Sequence, residues 1–77
     1  MELQDFISKF AGQFDETALE EFRADTEFKE LDEWSSMLIL AVIGMINEVY
    51  GVTIKGADIR RAKTIEDLFA IVKSMQG

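Results

Sequence analysis

The chain has no cysteine, no histidine and no proline. Without cysteine it forms no disulfide and no thiolate metal site. Without histidine it lacks the commonest general base near neutral pH and the commonest metal ligand. A chain of 77 residues with neither is expected not to be an enzyme. It has no internal repeat and no low-complexity tract. Its longest uncharged apolar run, Met37 to Ile46, is far shorter than the ~20 residues a membrane span needs and reads as a buried helix. The start, Met1-Glu2-Leu3-Gln4-Asp5, lacks the basic residues and apolar core of a secretory leader. A soluble, cytoplasmic protein is expected.

What the chain does have is acid. The net charge is −7, and it is unevenly placed. Residues 1–34 hold eleven acids and three bases; residues 35–77 hold four and five. Nucleic-acid binding is disfavoured, because phosphate contacts need clustered Lys and Arg. A basic patch on a protein partner suits the acidic half better; a merely solvated acidic face is the plainer alternative. Seventy-seven residues make a single domain, 1–77, whose small size demands an efficient core.

Hydrophobic spacing gives the helices. Leu3, Phe6, Ile7, Phe10 and Phe14 predict one over about 2–13, with Gly12 loosening or ending it. Nine acids then fall between Asp15 and Glu33, within a connection long enough to suggest function or its own packing. Thr17-Ala18-Leu19-Glu20 has capping-box spacing for a short turn through Phe22. Phe28 and Leu31 are expected to pin the connection to the core, with Trp34 as a half-buried anchor. The acids lack the glycine-turn spacing of a calcium loop, so no metal site is expected.

A second helix is predicted from Ser36 to about Tyr50, with Ser35 as N-cap and Gly51 at its close. It is apolar nearly all round. Met37, Leu40, Ile43 and Ile46 are assigned to the core; Leu38, Ile39 and Val42 are left for a loop, a partner or a second copy. Gly44 in its interior either admits a close neighbour or leaves room beside the core. After an extended link, Val52-Thr53-Ile54, a short third helix over Gly56–Arg61 points Ile59 inward. Thr64 caps a last helix whose buried face is Ile65, Leu68, Phe69, Val72 and Met75. The sum is an all-α four-helix bundle: three longer helices, one short one, and a long connection between the first two.

Ser36 carries the chemistry. The first amides of a helix have no internal partners, and the macrodipole makes that end partly positive. A phosphate ester on a serine there is stabilised where it sits, and an arm attached to it needs no catalytic apparatus. An ordinary second capping serine is the plainer alternative.

Trp34-Ser35-Ser36-Met37, the apolar helix after it, Glu48-Val49-Tyr50-Gly51-Val52-Thr53-Ile54 and Lys63-Thr64-Ile65-Glu66-Asp67-Leu68 together resemble a bacterial acyl carrier protein. The resemblance runs from the Phe6–Phe14 helix to the last helix. Phe28-Lys29-Glu30-Leu31 matches the family's Phe-x-x-Leu lead-in, and Thr64-Ile65-Glu66-Asp67-Leu68 its Thr-x-x-Asp-Leu opening. In register with the family's Asp-Ser-Leu motif, Ser36 is the serine that carries 4′-phosphopantetheine. The resemblance implies the acyl-carrier arrangement of the bundle and a monomer. It also implies that a phosphopantetheinyl transferase loads Ser36 from coenzyme A, and that acyl-loading and acyl-using enzymes of lipid or polyketide biosynthesis follow. Ser35 stands where the family has the Asp that helps the transferase hold its metal and the serine; Met37 replaces Leu. Leu38, Ala41 and Asn47 occupy places where members often carry acids, while Glu48 remains. Partner contact is therefore expected at Met37, Leu38, Ile39, Ala41, Val42 and Glu48, centred on an apolar patch of Leu38, Ile39 and Val42 and steered by the acidic connection. The alternatives are a carrier-like interaction module that carries nothing and binds through this apolar helix face, and a homodimer through the same helix.

Overall fold

A computed structural model describes residues 2–76. Among them are four α-helices, two 3-10 turns and no strand: α1 (Leu3–Ala11), α2 (Ser36–Tyr50), α3 (Gly56–Arg61) and α4 (Ile65–Gln76). No helix among the described residues is long and apolar enough to cross a membrane.

α1 turns Phe6, Ile7, Phe10 and Ala11 inward. It ends two residues before the spacing suggested. The amides of Gln13 and Phe14 reach back three residues, to Phe10 O and Ala11 O, and this tightening closes the helix at Gly12 while leaving Phe14 buried.

Residues 12–35 are packed by their own aromatic side chains. Phe14 and Phe22 meet at 4.9 Å, Phe10 and Phe28 at 5.3 Å, and Phe28 and Trp34 at 5.0 Å between ring centres. Each such pair adds about 0.5–1.5 kcal/mol beyond its area burial. Phe28 is fully buried, and Leu31 and Trp34 are half-buried against the core. The connection also serves its neighbours. The carbonyls of Ala24 and Thr26 accept from the amides of Glu66 and Ile65 at the start of α4. Lys29 Nζ donates to the carbonyls of Ile59 (3.3 Å) and Arg60 (2.9 Å) at the end of α3. Free amides and carbonyls at helix ends need such partners.

The expected Thr17 capping box does not form. A 3-10 turn covers Leu19–Glu21, and no side chain caps it. Thr17 donates instead to the Glu33 carboxylate, a charged and therefore stronger acceptor.

α2 begins and ends at its expected signals. Ser35 Oγ accepts from Leu38 N at 3.4 Å, and Gly51, at φ +68°, closes the helix in the left-handed region that glycine enters freely. Its buried face differs from expectation. Leu38, Val42, Met45 and Ile46 enter the core, whereas Met37 is 78% and Leu40 71% exposed. An α-helix turns once per ~3.6 residues, so a row taken every third residue drifts around the axis and sets Met37 and Ile46 on opposite sides. The row Leu38–Val42–Met45–Ile46 holds one side. Gly44 faces open space, so it neither admits a neighbour nor relieves the core.

Val52 and Ile54 are buried in the link, and Ile59 and Ala62 in and just after α3. Asp58 accepts from the Lys55 amide at 2.9 Å and so closes the front of α3. Thr64 Oγ1 accepts from Asp67 N, while Asp67 Oδ2 accepts from the amides of Lys63 and Thr64, all within 3.1 Å. This reciprocal cap starts α4. Ile65, Leu68 and Val72 are buried and Phe69 half-buried. Met75, assigned to the core by spacing, is 47% exposed. Residues 73–76 are all exposed, so the last turn of α4 outruns the packed body.

Candidate functional site at the start of the second helix

The site is assembled from the end of the acidic connection, the first turn of α2 and the segment after α1. Trp34 anchors it. Its indole lies within 6.4 Å of the Phe10 ring, nearly parallel to it, and edge-on to Phe28. Its amide donates to Leu31 O. Ser35 follows in extended conformation and turns its hydroxyl back to Leu38 N. Ser36 is the first residue of α2 and is exposed. Among the described residues, neither the Ser36 nor the Met37 amide has an acceptor outside the helix, and the helix offers its first amides none. No acid lies in the first turn of α2. The exposed hydroxyl therefore stands at a partly positive helix end with free donors beside it.

Beside it, Glu33 gathers the segment after α1. Its carboxylate accepts from the amides of Asp15 (2.7 Å), Glu16 (3.0 Å) and Thr17 (2.9 Å), and from the Thr17 hydroxyl (2.7 Å). The Asp15 amide and then the Thr17 hydroxyl do most to hold Glu33 below the ordinary carboxylate range, with the amides of Glu16 and Thr17 adding to it. The clamp brings residues 13–15 against the start of α2. Gln13, Asp15, Glu33, Ser35, Met37, Leu38 and Ala41 line a shallow cavity of about 210 Å³ there. Asp15 thus shares a cavity wall with Ser35 although twenty residues separate them in sequence. No reading of local motifs pointed to Asp15. The signal available was only the acid-rich start of the connection.

The six expected partner contacts divide. Met37 and Glu48 are exposed, and Ile39 and Ala41 half-buried. Leu38, at 7%, and Val42, at 0%, belong to the core and present no surface; the apolar patch expected of Leu38, Ile39 and Val42 is not there. The exposed face of α2 runs instead through Ser36, Met37, Leu40, Gly44, Asn47 and Glu48. A signal for this was present. The polar and small residues Ser36, Gly44, Asn47 and Glu48 recur at helical spacing, and they mark the solvent side of a helix whose apolar residues mark nothing. Asn47 Nδ2 donates to Thr53 Oγ1 at 3.0 Å, bracing the far end of this face against the link to α3.

No protein-family model matches this chain, and neither a curated protein nor a solved structure matches it.

Proposed function

We propose that this chain is an acyl-carrier-type protein whose bundle presents Ser36 as the attachment point for 4′-phosphopantetheine. The observation that carries the reading is the division of labour between two adjacent serines. Ser35 spends its hydroxyl on the helix cap, and Ser36 keeps its own exposed at the helix start. The resemblance of the motifs around Ser36, Phe28 and Thr64 to the family supports it.

The residues present suit the phosphate end of such an arm. The amides of Ser36 and Met37 are free to donate, and the dipole of α2 favours negative charge beside them. In the loading step Ser36 Oγ attacks the phosphorus of coenzyme A that bears the pantetheine. A new P–O bond forms, the pyrophosphate bridge breaks, 3′,5′-ADP leaves, and the serine proton passes to the transferase's base. The arm, once bound, supplies a thiol that holds an acyl group as a thioester. The chain's own contribution is a tether that raises effective concentration at partner enzymes. Met37 and Leu40 offer those partners an apolar contact beside the arm. Asp15 brings a carboxylate to the cavity it shares with Ser35, the residue that stands where the family has its Asp.

Intact mass decides the loading step. The apo-chain, incubated with coenzyme A and a broad-specificity phosphopantetheinyl transferase, gains one phosphopantetheine; Ser36→Ala gains none and Ser35→Ala still gains it. No gain on the native chain, or a gain that survives Ser36→Ala, rejects the assignment.

A second reading rests on the exposed Met37 and Leu40 together with the uncharged Ser35. Here the chain is an interaction module that binds through the exposed face of α2 and carries nothing. A stable complex with Ser36 unmodified, lost in Met37→Asp, supports it.

A further inference from the structure

α3 carries charge of the sign opposite to the rest of the molecule. Lys55, Arg60, Arg61 and Lys63 are all exposed, within a chain of net charge −7. Burial of Ile59 and Ala62 fixes the inner side of this segment, so the cations take the outer side. Asp58 is the one acid on α3, and it is already engaged: it accepts from the Lys55 amide and pairs with Arg61 Nη2 at 2.7 Å. Lys55, Arg60 and Lys63 form no ion pair among the described residues. Arg60 folds back along the helix, so that a Cβ on Gly56 would stand 3.4 Å from its Nη1. Its guanidinium therefore lies over Gly56, next to Lys55 in sequence. Lys29, spent on the carbonyls of Ile59 and Arg60, adds a fifth cation at the other end of α3. Asp67, engaged by the Lys63 and Thr64 amides, is the other carboxylate bonded to this segment.

Exposed like charges that have no ion-pair partner among the described residues, carried along one short segment, favour an anionic partner. We infer that the exposed outer side of α3, through Lys55, Arg60 and Lys63, is a docking surface for an acidic segment of a partner protein. The surface is the outside of a single helix, with no aromatic side chain among its exposed residues on which a base could stack. The connection with nine acids between Asp15 and Glu33 is bonded to this same helix through Lys29. Glu27 and Glu30 flank Lys29 in the chain, so acids approach α3 at the end that Lys29 bonds, and they disfavour a polyanion longer than the helix, such as a nucleic acid or an anionic membrane. A short run of Asp and Glu covers α3 alone. The inference is independent of the loading of Ser36.

The test uses the full chain, labelled with nitrogen-15 and titrated with a poly-L-glutamate peptide at low ionic strength. The expected result is a set of amide shifts confined to residues 55–63, with affinity falling as salt is added. Lys55→Glu with Arg60→Glu should weaken binding by about tenfold or more, and Lys9→Glu with Lys73→Glu, the same change in net charge, by less than about threefold. Lys55→Gln with Arg60→Gln, which keeps helix-forming side chains, should also weaken it and guards against misfolding of the reversed pair. Equal losses in the two charge-reversed pairs, shifts elsewhere in the chain, or no binding would overturn the inference. So would tighter binding through the same residues to phosphatidylglycerol vesicles or single-stranded DNA, or self-association of the chain that the Lys55/Arg60 variants abolish.

Discussion

Thr17 gives Glu33 two hydrogen bonds, one from its amide at 2.9 Å and one from its hydroxyl at 2.7 Å. With the amides of Asp15 and Glu16 they fasten the beginning of the long connection to its end. The clamp holds Gln13 and Asp15 in the cavity they line with Ser35, Met37 and Leu38 at the start of α2. Glu33→Ala is expected to speed hydrogen exchange at the amides of residues 15–17 and to lower the melting temperature. Glu33→Gln, which keeps an acceptor oxygen, should do less. Unchanged exchange in Glu33→Ala would show that the clamp does not hold the segment.

Acid should loosen the fold in a defined window. Glu33, Asp58 and Asp67 are all held below the ordinary carboxylate range. The principal causes are the Asp15 amide for Glu33, the Lys55 amide for Asp58, and the Thr64 amide for Asp67. A carboxyl lowered by folding binds its proton more readily in the unfolded chain. Its stabilisation is complete above the unfolded value, about 4, and is lost as pH falls through the lower folded value. Urea midpoints are therefore expected to be flat from neutral pH to about 5 and to fall below about 4. Glu33→Gln should flatten that fall, because it removes one of the three titrations. An identical acid slope in the variant would count against Glu33 as a contributor.

The two sides of α2 should respond to truncation very differently. Leu38 is buried and Leu38→Ala should cost about 2–5 kcal/mol. Met37→Ala and Leu40→Ala, on exposed side chains, should stay within about 0.5 kcal/mol. Val42→Asp places a charge at a site with no exposure and is expected to unfold the chain rather than to disturb binding selectively. Equilibrium unfolding in urea measures all four. A large cost at Met37 with none at Leu38 would reverse the assignment of the faces.

Gly44 and Gly51 sit seven residues apart and should answer alanine with opposite signs. At Gly44 a Cβ meets nothing within 4 Å and the backbone is helical, so Gly44→Ala should stabilise by about 1 kcal/mol. Gly51 lies at φ +68°, where an L side chain is strained, and Gly51→Ala should destabilise by about 1 kcal/mol. Thermal unfolding of the two single variants, read against the parent, checks both signs.

Local chemistry fixed both ends of α2 and the start of α4, and it was legible. Ser35 and Thr64 accept from amides three residues on, Gly51 turns left-handed, and Ile59 enters the core. The two caps and the glycine close depend on neighbours within a turn, which the linear sequence contains. The placement of Phe28 under the connection was legible too, because a fully apolar ring in an acidic stretch has nowhere else to go.

What the sequence by itself determined, then, is an all-helical chain of four helices, an acid-rich connection after the first, and a serine pair at the start of the second. The tertiary structure decided which side of α2 is core. The apolar residues of a helix apolar nearly all round do not choose a side; only Ser36, Gly44, Asn47 and Glu48 mark the solvent face, and the packing of α1 and its neighbours seats Leu38, Val42, Met45 and Ile46 in the core. Packing also decided what stands beside Ser35. The contacts of Glu33 with Asp15, Glu16 and Thr17 span 16 to 18 residues. No local spacing encodes a bond of that reach; it exists only once the aromatic cluster of Phe10, Phe14, Phe28 and Trp34 has folded the connection back on itself.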